Sequence, residues 1–481
     1  MLLNTIFYII QIMNIVTIIY MIFHEKRSAN SIISWLLIFN VAPVIGLIFF
    51  ILIGRKINQR KMYKIKESDI KLYENYIRHD IEKRSKNKEY YNKENLDMIN
   101  SLEGMGYAPY REGNEVKLFS DGEELFNDLI ENLKKAEKSI NIQFYIFRKD
   151  GIGTEILKVL EDKARQGIKV RFLYDSVGCR MLNRDKLKDF ILAGGKVAEF
   201  FPSKIKPFNI NMNHRNHRKI VVIDDCLSYV GGFNVGDEYI GKNPRFGYWR
   251  DSHVRINGPS SVDLNLRFLA DWRYTAKESI DLEKEVINNI KEVKEEGNKA
   301  IQIVGSGPNN NNLHEIKLSY VKMIQKAKRY VYIQTPYLIV DNSVSDSLKL
   351  AALGGADVRI MIPGKGDHPF VYWVNLYYAG ELLKYGIKIY HYDKDAFLHA
   401  KTVVIDDNTT SVGTANMDMR SFELNFEVNA FIYSQEIAKE QRAAFEKDMA
   451  KSEELTLGLY EKRSNSVKFK EGFSKLFSGL L

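Results

Sequence analysis

Two stretches of this chain place a histidine, a lysine and an aspartate at the same spacing, His-x-Lys-x-x-x-x-Asp. An imidazole can attack an electrophile or carry a proton, and a neighbouring ammonium group suits an anionic phosphate. A single motif of this kind is usually a set of surface residues with no catalytic role. Two copies with the same surroundings indicate one site built from both. The six predicted catalytic residues are His217, Lys219, Asp224, His399, Lys401 and Asp406.

Each motif leads into a short apolar, β-branched run, which predicts a buried strand that ends at an Asp-Asp turn. The first of these runs is Ile220–Ile223. Because side chains alternate along a strand, His217 and Lys219 are predicted to share one face. Asp224 and Asp406 are predicted to shape their turns rather than to contact phosphate.

A glycine turn with an asparagine follows each motif, and a strand with a carboxylate follows each turn. Asn234 and Asn416 are the predicted phosphate-binding residues, because an amide is a neutral donor and glycine lets the backbone approach a ligand. Asp251 and Glu427 are predicted to orient the imidazoles, since a carboxylate on one ring nitrogen fixes the tautomer.

These residues resemble the signature of the phospholipase D superfamily, His-x-Lys-(x)4-Asp followed by Gly-(Gly/Ser/Thr)-x-Asn. Both copies match it at every signature position, and the chain is most similar to the bacterial cardiolipin synthases. The resemblance implies transfer between two phosphatidylglycerol molecules through a phosphohistidine, without metal or other cofactor. It implies His217 as the nucleophile and His399 as the acid and base, although the sequence itself leaves that order open.

The second half of the chain repeats the order of strands and helices in the first. Residues 137–143 parallel residues 328–334, and residues 167–172 parallel residues 355–360. Strands that alternate with helices predict a sheet that binds ligands at its strand ends. The predicted fold class is α/β, with two duplicated phospholipase D-like α/β/α halves facing across one active-site cleft, preceded by an N-terminal transmembrane helical hairpin.

The sequence divides into four predicted segments. They are two transmembrane helices (1–54), a basic juxtamembrane linker (55–110), the first half (111–280), and the second half with a C-terminal amphipathic helix (300–481). Within the first half, helices are predicted at 123–138, 154–166 and 186–193, and strands at 139–147 and 167–175.

Two uncharged apolar runs, residues 2–23 and 32–53, each have about the 20 residues that a helix needs to cross a bilayer. A cleaved signal peptide is disfavoured, because the first run lacks a basic leading region and a small-residue cleavage site. Two basic residues separate the runs and four lie in residues 55–61, so the catalytic part is predicted to be cytoplasmic. The predicted location is the bacterial cell (plasma) membrane, with a multi-pass topology.

The formal net charge of +9 suits an anionic partner, either a membrane or a nucleic acid. The apolar runs favour the membrane over a nucleic acid, and the resemblance implies phosphatidylglycerol as the substrate. The predicted partners are therefore phosphatidylglycerol and anionic membrane lipids, with no nucleic acid, and the oligomeric state stays open. The C-terminal tail carries an apolar helical face, which fits either docking on the protein's own core or lying in a membrane interface. Its residues are Phe469, Phe473, Leu476, Phe477 and Leu480.

Three other activities would use or keep the same residues. A phospholipase D that hydrolyses phospholipids to phosphatidic acid, or a related phosphodiesterase, differs in its acceptor. A nuclease fits the charge but not the apolar runs, and a non-catalytic scaffold has no need of two intact motifs.

Cys179 and Cys226 are predicted to be reduced thiols, and no Cys/His spacing indicates a metal site. Ser306 is predicted in a loop beside the site, and His214 at its rim.

Overall fold

The structure is a computed structural model that describes residues 2–25, 29–54, 94–105, 108–202, 213–282, 285, 293–308, 313–476 and 478. Most of the predicted juxtamembrane linker lies outside the described residues, as does the basic cluster at 55–61. Phe477 and Leu480 of the predicted C-terminal face also lie outside them.

The N-terminal region is helical and apolar. It consists of α1 (Leu2–His24), α2 (Ala29–Val41), α3 (Pro43–Phe49) and a π-helical turn (Phe50–Gly54). Among the described helices, one is long and apolar enough to cross a membrane, over Asn4–His24. The predicted second span, 32–53, is therefore not one continuous helix. Pro43 has no N–H group to donate, and it begins a new helix in the first turn of α3.

Helix α1 packs against both parts of the second apolar run. The side-chain amide of Asn14 donates to the carbonyl oxygen of Pro43 at 3.2 Å. A small buried cluster also joins these helices, and it consists of Met21, Trp35, Phe39 and Phe50.

The remaining described chain is built on a mixed sheet of 15 strands, with two small two-stranded sheets beside it. The strands of the first half are β1 (Arg111–Phe119), β2 (Ser139–Phe144), β3 (Lys169–Asp175), β4 (Lys196–Phe200), β5 (Ile220–Ile223), β6 (Leu227–Gly231), β7 (Trp249–Arg250) and β8 (His253–Asn257). Those of the second half are β9 (Lys299–Ser306), β10 (Tyr330–Gln334), β11 (Leu338–Ile339), β12 (Asp357–Ile362), β13 (Lys388–His391), β14 (Phe397–Leu398), β15 (Thr402–Ile405), β16 (Thr409–Gly413), β17 (Met417–Asp418), β18 (Glu427–Tyr433) and β19 (Glu453–Leu455).

The sheet repeats itself on the two sides of an antiparallel contact between β1 and β9. Its order is β19-β13-β12-β10-β15-β16-β18-β9-β1-β8-β6-β5-β2-β3-β4. Counted outward from the centre, both sides have the same sequence of parallel and antiparallel pairs, except that β19 is added at one edge. The predicted duplication is confirmed, and β5 and β15, which follow the two motifs, occupy equivalent places.

Helices with buried apolar side chains accompany this sheet. In α5 (Gly122–Lys135), for example, the buried residues include Leu125, Leu129 and Leu133, at the spacing of a helix face. The helices are α4 (Leu96–Met105), α5 (Gly122–Lys135), α6 (Gly151–Arg165), α7 (Lys188–Leu192), α8 (Ser260–Ala276), α9 (Glu315–Lys326), α10 (Asn342–Leu353), α11 (Pro369–Leu383), α12 (Met419–Glu423), α13 (Gln435–Met449), α14 (Leu457–Glu461) and α15 (Asn465–Lys475). Short 3-10 turns lie at Asp185–Leu187 and Asp237–Ile240.

The boundaries near the motifs differ from those that the sequence predicts. The strand predicted at 139–147 ends at Phe144, because the N–H group of Ile146 bonds to the side chain of Asn234 instead of a neighbouring strand. His217 and Lys219 precede β5 rather than lying on it. They are therefore held in an extended segment at the strand's entrance, where the side chains of both halves can meet.

Candidate active site

The segment that carries each histidine pairs with the other half of the chain. The N–H group of His217 donates to the carbonyl oxygen of Phe426 at 2.9 Å, next to a parallel bridge between Asn216 and Phe426. In the equivalent place, β14 pairs in parallel with β7, and the N–H group of His399 donates to the carbonyl oxygen of Arg250 at 2.7 Å. These two crossed pairings bring the motifs together.

Each imidazole is held by a carboxylate of the opposite half. Nδ1 of His217 lies 3.0 Å from the carboxylate of Glu427, and Nδ1 of His399 lies 2.6 Å from that of Asp251. Both carboxylates are fully buried, while the histidine side chains keep 12% and 10% of their surface exposed. A carboxylate at Nδ1 keeps the ring proton there and leaves the Nε2 lone pair for chemistry.

The two halves support these carboxylates in different ways. The hydroxyl group of Thr414 donates to Glu427, and the carbonyl oxygen of Thr414 lies 3.2 Å from Nδ1 of His217. The equivalent residue of the first half is Gly232, where a Cβ atom would lie 2.0 Å from Oδ1 of Asp251. A side chain at Gly232 would therefore displace the carboxylate that orients the second imidazole.

Both lysine ammonium groups belong to the same buried cluster. Nζ of Lys219 donates to the carbonyl oxygen of His217 at 2.7 Å, and Nζ of Lys401 donates to that of His399. Burial lowers the pKa of Lys219 to about 7 and that of Lys401 to about 8, against the attraction of the buried carboxylates. A phosphate anion would stabilise the charged form of both lysines.

Burial also lowers the pKa of both imidazoles, and for His399 the value falls to about 4. The positive charge of the neighbouring lysines acts in the same direction, while the carboxylates oppose it. Before substrate binds, both rings are therefore neutral at pH 7 and can act as a nucleophile or a base. The negative charge of a bound phosphodiester would raise the pKa of an imidazole, so that it could become an acid.

The two predicted phosphate-binding asparagines are engaged with protein groups. Asn234 accepts from the N–H group of Ile146 at 3.0 Å, which fixes the loop after β2. Asn416 donates to Asp418 at 3.2 Å, and its Oδ1 atom has no hydrogen-bond partner within the described parts of the chain. Burial raises the pKa of the Asp418 carboxyl group to about 6. Contact of either asparagine with phosphate stays a prediction.

Asp224 and Asp406 lie at the far ends of β5 and β15 from the histidines. A four-residue strand spans about 13 Å. Both aspartates have a φ angle of 52°, in the left-handed region that aspartate tolerates. Their carboxylates accept backbone N–H groups of the preceding loop in each half, from Glu137, Lys138 and Ser139, and from Lys328, Arg329 and Tyr330. These bonds build turns and place neither carboxylate at the imidazoles.

Two aromatic rings beside the histidines are absent from the predicted site. The ring of Tyr145 meets that of His217 edge-on, with 4.8 Å between centroids, and the ring of Trp249 lies 5.2 Å from that of His399. The ammonium group of Lys219 lies 5.4 Å from the ring of Tyr145. Tyr145 lies within the strand predicted at 139–147, and Trp249 begins the predicted strand that carries Asp251, which is the signal that could have identified them.

A buried aspartate in each half holds an arginine and a glutamine behind the site. Distances from the aspartate to its partners lie between 2.7 and 2.9 Å. The first set is Asp271, Arg218 and Gln143, and the second is Asp448, Arg250 and Gln334. The glutamines end the two parallel sequence stretches 137–143 and 328–334, so the repeat itself marks them.

Other residues that the sequence singles out lie nearby. Nδ1 of His214 lies 3.2 Å from the carbonyl oxygen of Leu424 in the other half. The prediction that Ser306 lies in a loop is wrong. Ser306 is the last residue of β9, where it continues the ladder opposite Glu427. Cys179 and Cys226 are both free thiols.

A cavity of about 630 Å³ opens beside Tyr145. Basic side chains line much of it, and they belong to Arg148, Lys149, Arg180 and Lys186. His368, the residue before α11, also lines it. The cavity therefore extends from Tyr145, whose ring contacts that of His217, to His368 at the N-terminal end of α11.

Family models match the two halves separately. The model described as "Cardiolipin synthase, PLD-like domain" matches residues 129–245 and 320–449. A second model, described as "Phospholipase_D-nuclease N-terminal", matches residues 12–55.

Known relatives match the chain over its whole length. A cardiolipin synthase of Staphylococcus aureus (strain Mu50) is 46% identical over 486 residues, which cover 100% of this chain and 97% of the relative. Cardiolipin synthase 2 of Staphylococcus epidermidis (strain RP62A) is 45% identical over 477 residues, 98% of this chain and 96% of the relative. Phosphatidylserine synthase of Haemophilus influenzae Rd KW20 shares the fold, with a TM-score of 0.61 and 14% identity over 80% of this chain and 97% of that one.

The duplicated sheet and its paired His-x-Lys motifs define a phospholipase D-like enzyme. Within that class, the chain belongs to the cardiolipin synthase family. The relatives and the apolar helix α1 together indicate a membrane protein.

Proposed function

We propose that this chain is a membrane-bound phosphatidyltransferase, which converts two phosphatidylglycerol molecules into cardiolipin and glycerol. The observation that carries the proposal is the pair of imidazoles, each held through Nδ1 by a buried carboxylate and accompanied by a buried lysine. The relatives named cardiolipin synthase support the same reaction.

The first step transfers a phosphatidyl group to the enzyme. Nε2 of His217 attacks the phosphorus atom of the donor lipid, so a P–N bond forms and the P–O bond to the terminal glycerol breaks. His399, which takes up a proton at Nε2 when the anionic phosphodiester binds, gives that proton to the departing oxygen atom, and glycerol leaves. The choice of His217 as nucleophile rests on the resemblance to the superfamily.

The second step passes the phosphatidyl group to another lipid. The primary hydroxyl group of the second phosphatidylglycerol attacks phosphorus and gives its proton to His399, while the P–N bond breaks. Lys219 and Lys401 stabilise the phosphate oxygens as their charge grows, with Asn234 and Asn416 as further donors. The aromatic walls around the imidazoles limit the entry of water, which is the competing acceptor.

The proposal includes two membrane segments within residues 1–54 and a catalytic part in the cytoplasm, built from residues 111–280 and 300–481. Cysteine labelling in intact cells tests this orientation. A cysteine at Leu353, which is exposed on α10, should react with a membrane-impermeant thiol reagent only after lysis. Labelling without lysis would reverse the topology.

The test of the reaction uses the purified full chain in vesicles that contain phosphatidylglycerol as the only lipid. We expect cardiolipin and free glycerol in equal amounts, reversal by excess glycerol, and no loss of activity on addition of EDTA. The His217→Ala variant is the matched inactive control. Phosphatidic acid as the main product would identify a hydrolase instead, and cardiolipin formed only after phosphatidylethanolamine is added would identify a different donor.

A further inference from the structure

Helix α15 faces the protein with its polar side and solvent with its apolar side. The buried residues of this helix are Glu471 and Ser474, whereas Phe469, Phe473 and Leu476 are 72%, 45% and 65% exposed. A surface helix of a globular protein normally shows the opposite arrangement. An apolar face turned outward indicates a partner rather than a core.

Specific bonds fix this orientation. The carboxylate of Glu471 accepts from Nε of Arg463 at 2.9 Å and from the hydroxyl group of Tyr460 at 3.1 Å. The guanidinium group of Arg463 also stacks on the ring of Tyr460, 3.5 Å from its centroid. Rotating α15 to bury its phenylalanines would break the buried contacts of Glu471 with Arg463 and Tyr460. These contacts therefore hold the apolar face outward.

The neighbouring helix α11 adds aromatic surface to the same region. Only Glu381 is charged among its 15 residues, and Phe370 is 52% exposed. Lysines of α15 lie over two of its rings, with Nζ of Lys470 4.9 Å from the centroid of Trp373 and Nζ of Lys475 4.3 Å from that of Tyr377. Aromatic rings beside lysines with apolar stems are the composition of a membrane–water interface.

This region adjoins the mouth of the candidate active site. Helix α11 begins directly after His368, which lines the basic cavity beside Tyr145. The hydroxyl group of Tyr337 donates to Asp367, and Asn375 of α11 donates to the carbonyl oxygen of Pro336 at 2.8 Å. These bonds tie α11 and the residue before His368 to the segment that follows β10.

We propose that the exposed side of α11 and α15 binds the surface of an anionic lipid bilayer and seats the mouth of the cavity on it. This docking face consists of Phe370, Phe469, Phe473 and Leu476, bordered by Lys468, Lys470 and Lys475. The apolar side chains enter the interface, and the lysines lie at the level of the anionic headgroups. Charge complementarity favours this occupant, because the lysines of α15 border the apolar residues and the chain carries a net charge of +9.

The proposal that this face binds a bilayer depends only on the side chains of the face. Its role in delivering lipid to the cleft rests on the proposed function. A segment at α1 that anchors the chain does not orient the cavity, whereas a second contact at α15 does. The two consequences call for separate measurements.

The first measurement locates the face relative to the bilayer. The full chain, with Cys226→Ser to remove the partly exposed thiol, receives a polarity-sensitive fluorophore at Phe473→Cys and is placed in nanodiscs that contain phosphatidylglycerol. We expect a blue shift and quenching by a nitroxide-labelled lipid. The control position is Leu353→Cys, since Leu353 is 68% exposed on α10 and outside the face.

Equal, weak quenching at both positions would overturn the proposal. Cross-linking of two chains through position 473, with no lipid quenching, would overturn it as well, because the face would then be an interface between two copies.

The second measurement links the face to turnover. The double variant Phe469→Ser, Phe473→Ser should lose at least about 10-fold in turnover of bilayer phosphatidylglycerol, through a higher apparent KM, and should keep its activity on a short-chain, monomeric phosphatidylglycerol. Leu350→Ser with Leu353→Ser is the matched control. Equal losses on both substrates would contradict a docking role. If the unaltered chain made no cardiolipin from either substrate, the proposed function would fail, while the quenching result would still decide the docking face.

Discussion

The carboxylate of Asp251 lies 2.6 Å from Nδ1 of His399, although the two residues belong to opposite halves of the chain. Glu427 holds His217 in the same crossed way at 3.0 Å. Each motif is therefore incomplete within its own half, and the site exists only when β7 and β14, and the equivalent segments around Asn216 and Phe426, are paired.

We expect Asp251→Asn to lower kcat by about 10²- to 10⁴-fold, because an amide at this place no longer fixes the tautomer of His399. The measurement is the initial rate of cardiolipin formation. Asp346→Asn, which alters an exposed carboxylate on α10, is the matched control and should keep its rate. A normal rate for Asp251→Asn would show that the crossed carboxylate has no catalytic role.

We expect His217→Ala and His399→Ala each to reduce turnover by about 10³-fold or more, and the double variant to be little worse than either, because the residues act as one unit. Single-turnover assays with a labelled donor lipid separate their roles. In His399→Ala, enzyme-bound label should form and be released more slowly than in the unaltered chain, because the acid and base is missing. In His217→Ala, no enzyme-bound label should form at all. Label on the enzyme in the His217→Ala variant would reverse the assignment of the nucleophile.

We expect Gly232→Ala to lower activity by about 10²-fold or more, because a Cβ atom there would lie 2.0 Å from the carboxylate oxygen of Asp251. Gly458→Ala is the matched control, since nothing lies within 4 Å of a Cβ atom at that position. Activity and thermal unfolding should be measured together. Full activity of Gly232→Ala would mean that Asp251 can move without harm to His399.

We expect kcat/KM to fall as the pH rises above about 7 to 8. Burial lowers the pKa of Lys219 to about 7 and that of Lys401 to about 8, and each lysine is charged below its pKa and neutral above it. Loss of that charge weakens the binding of phosphate. Lys219→Arg keeps its charge, so its alkaline limb should move to higher pH, even if its maximal rate is lower. An alkaline limb that does not move would assign it to another group.

The duplication and the members of the site follow from the sequence because they are local patterns. The spacing of His217 and Lys219 and the apolar run after them are visible along the chain, and so are their copies. The partner of each carboxylate is not visible, because Asp251 is closer in sequence to His217 than to His399. Only the crossing of extended segments between the halves decides that Asp251 serves His399.

Two further features depend on contacts that a sequence pattern does not record. The second apolar run has the composition of a span, but Pro43 divides it into two helices. The apolar face of α15 is visible in the sequence, yet its outward direction is set by the pairing of Glu471 with Arg463 and Tyr460. A hydrophobic pattern shows that a face exists, and the buried polar contacts decide which way it points.

The fusion of both halves through the β1–β9 contact has an evolutionary consequence. Two identical copies assembled around a twofold axis would be obliged to present identical histidines, because any substitution would appear twice. A single gene that encodes both halves removes that obligation, and the halves have already diverged at Gly232 and Thr414 and at Asp251 and Glu427. Symmetry of the scaffold is kept, while each side of the cleft is free to specialise in one of two successive chemical tasks.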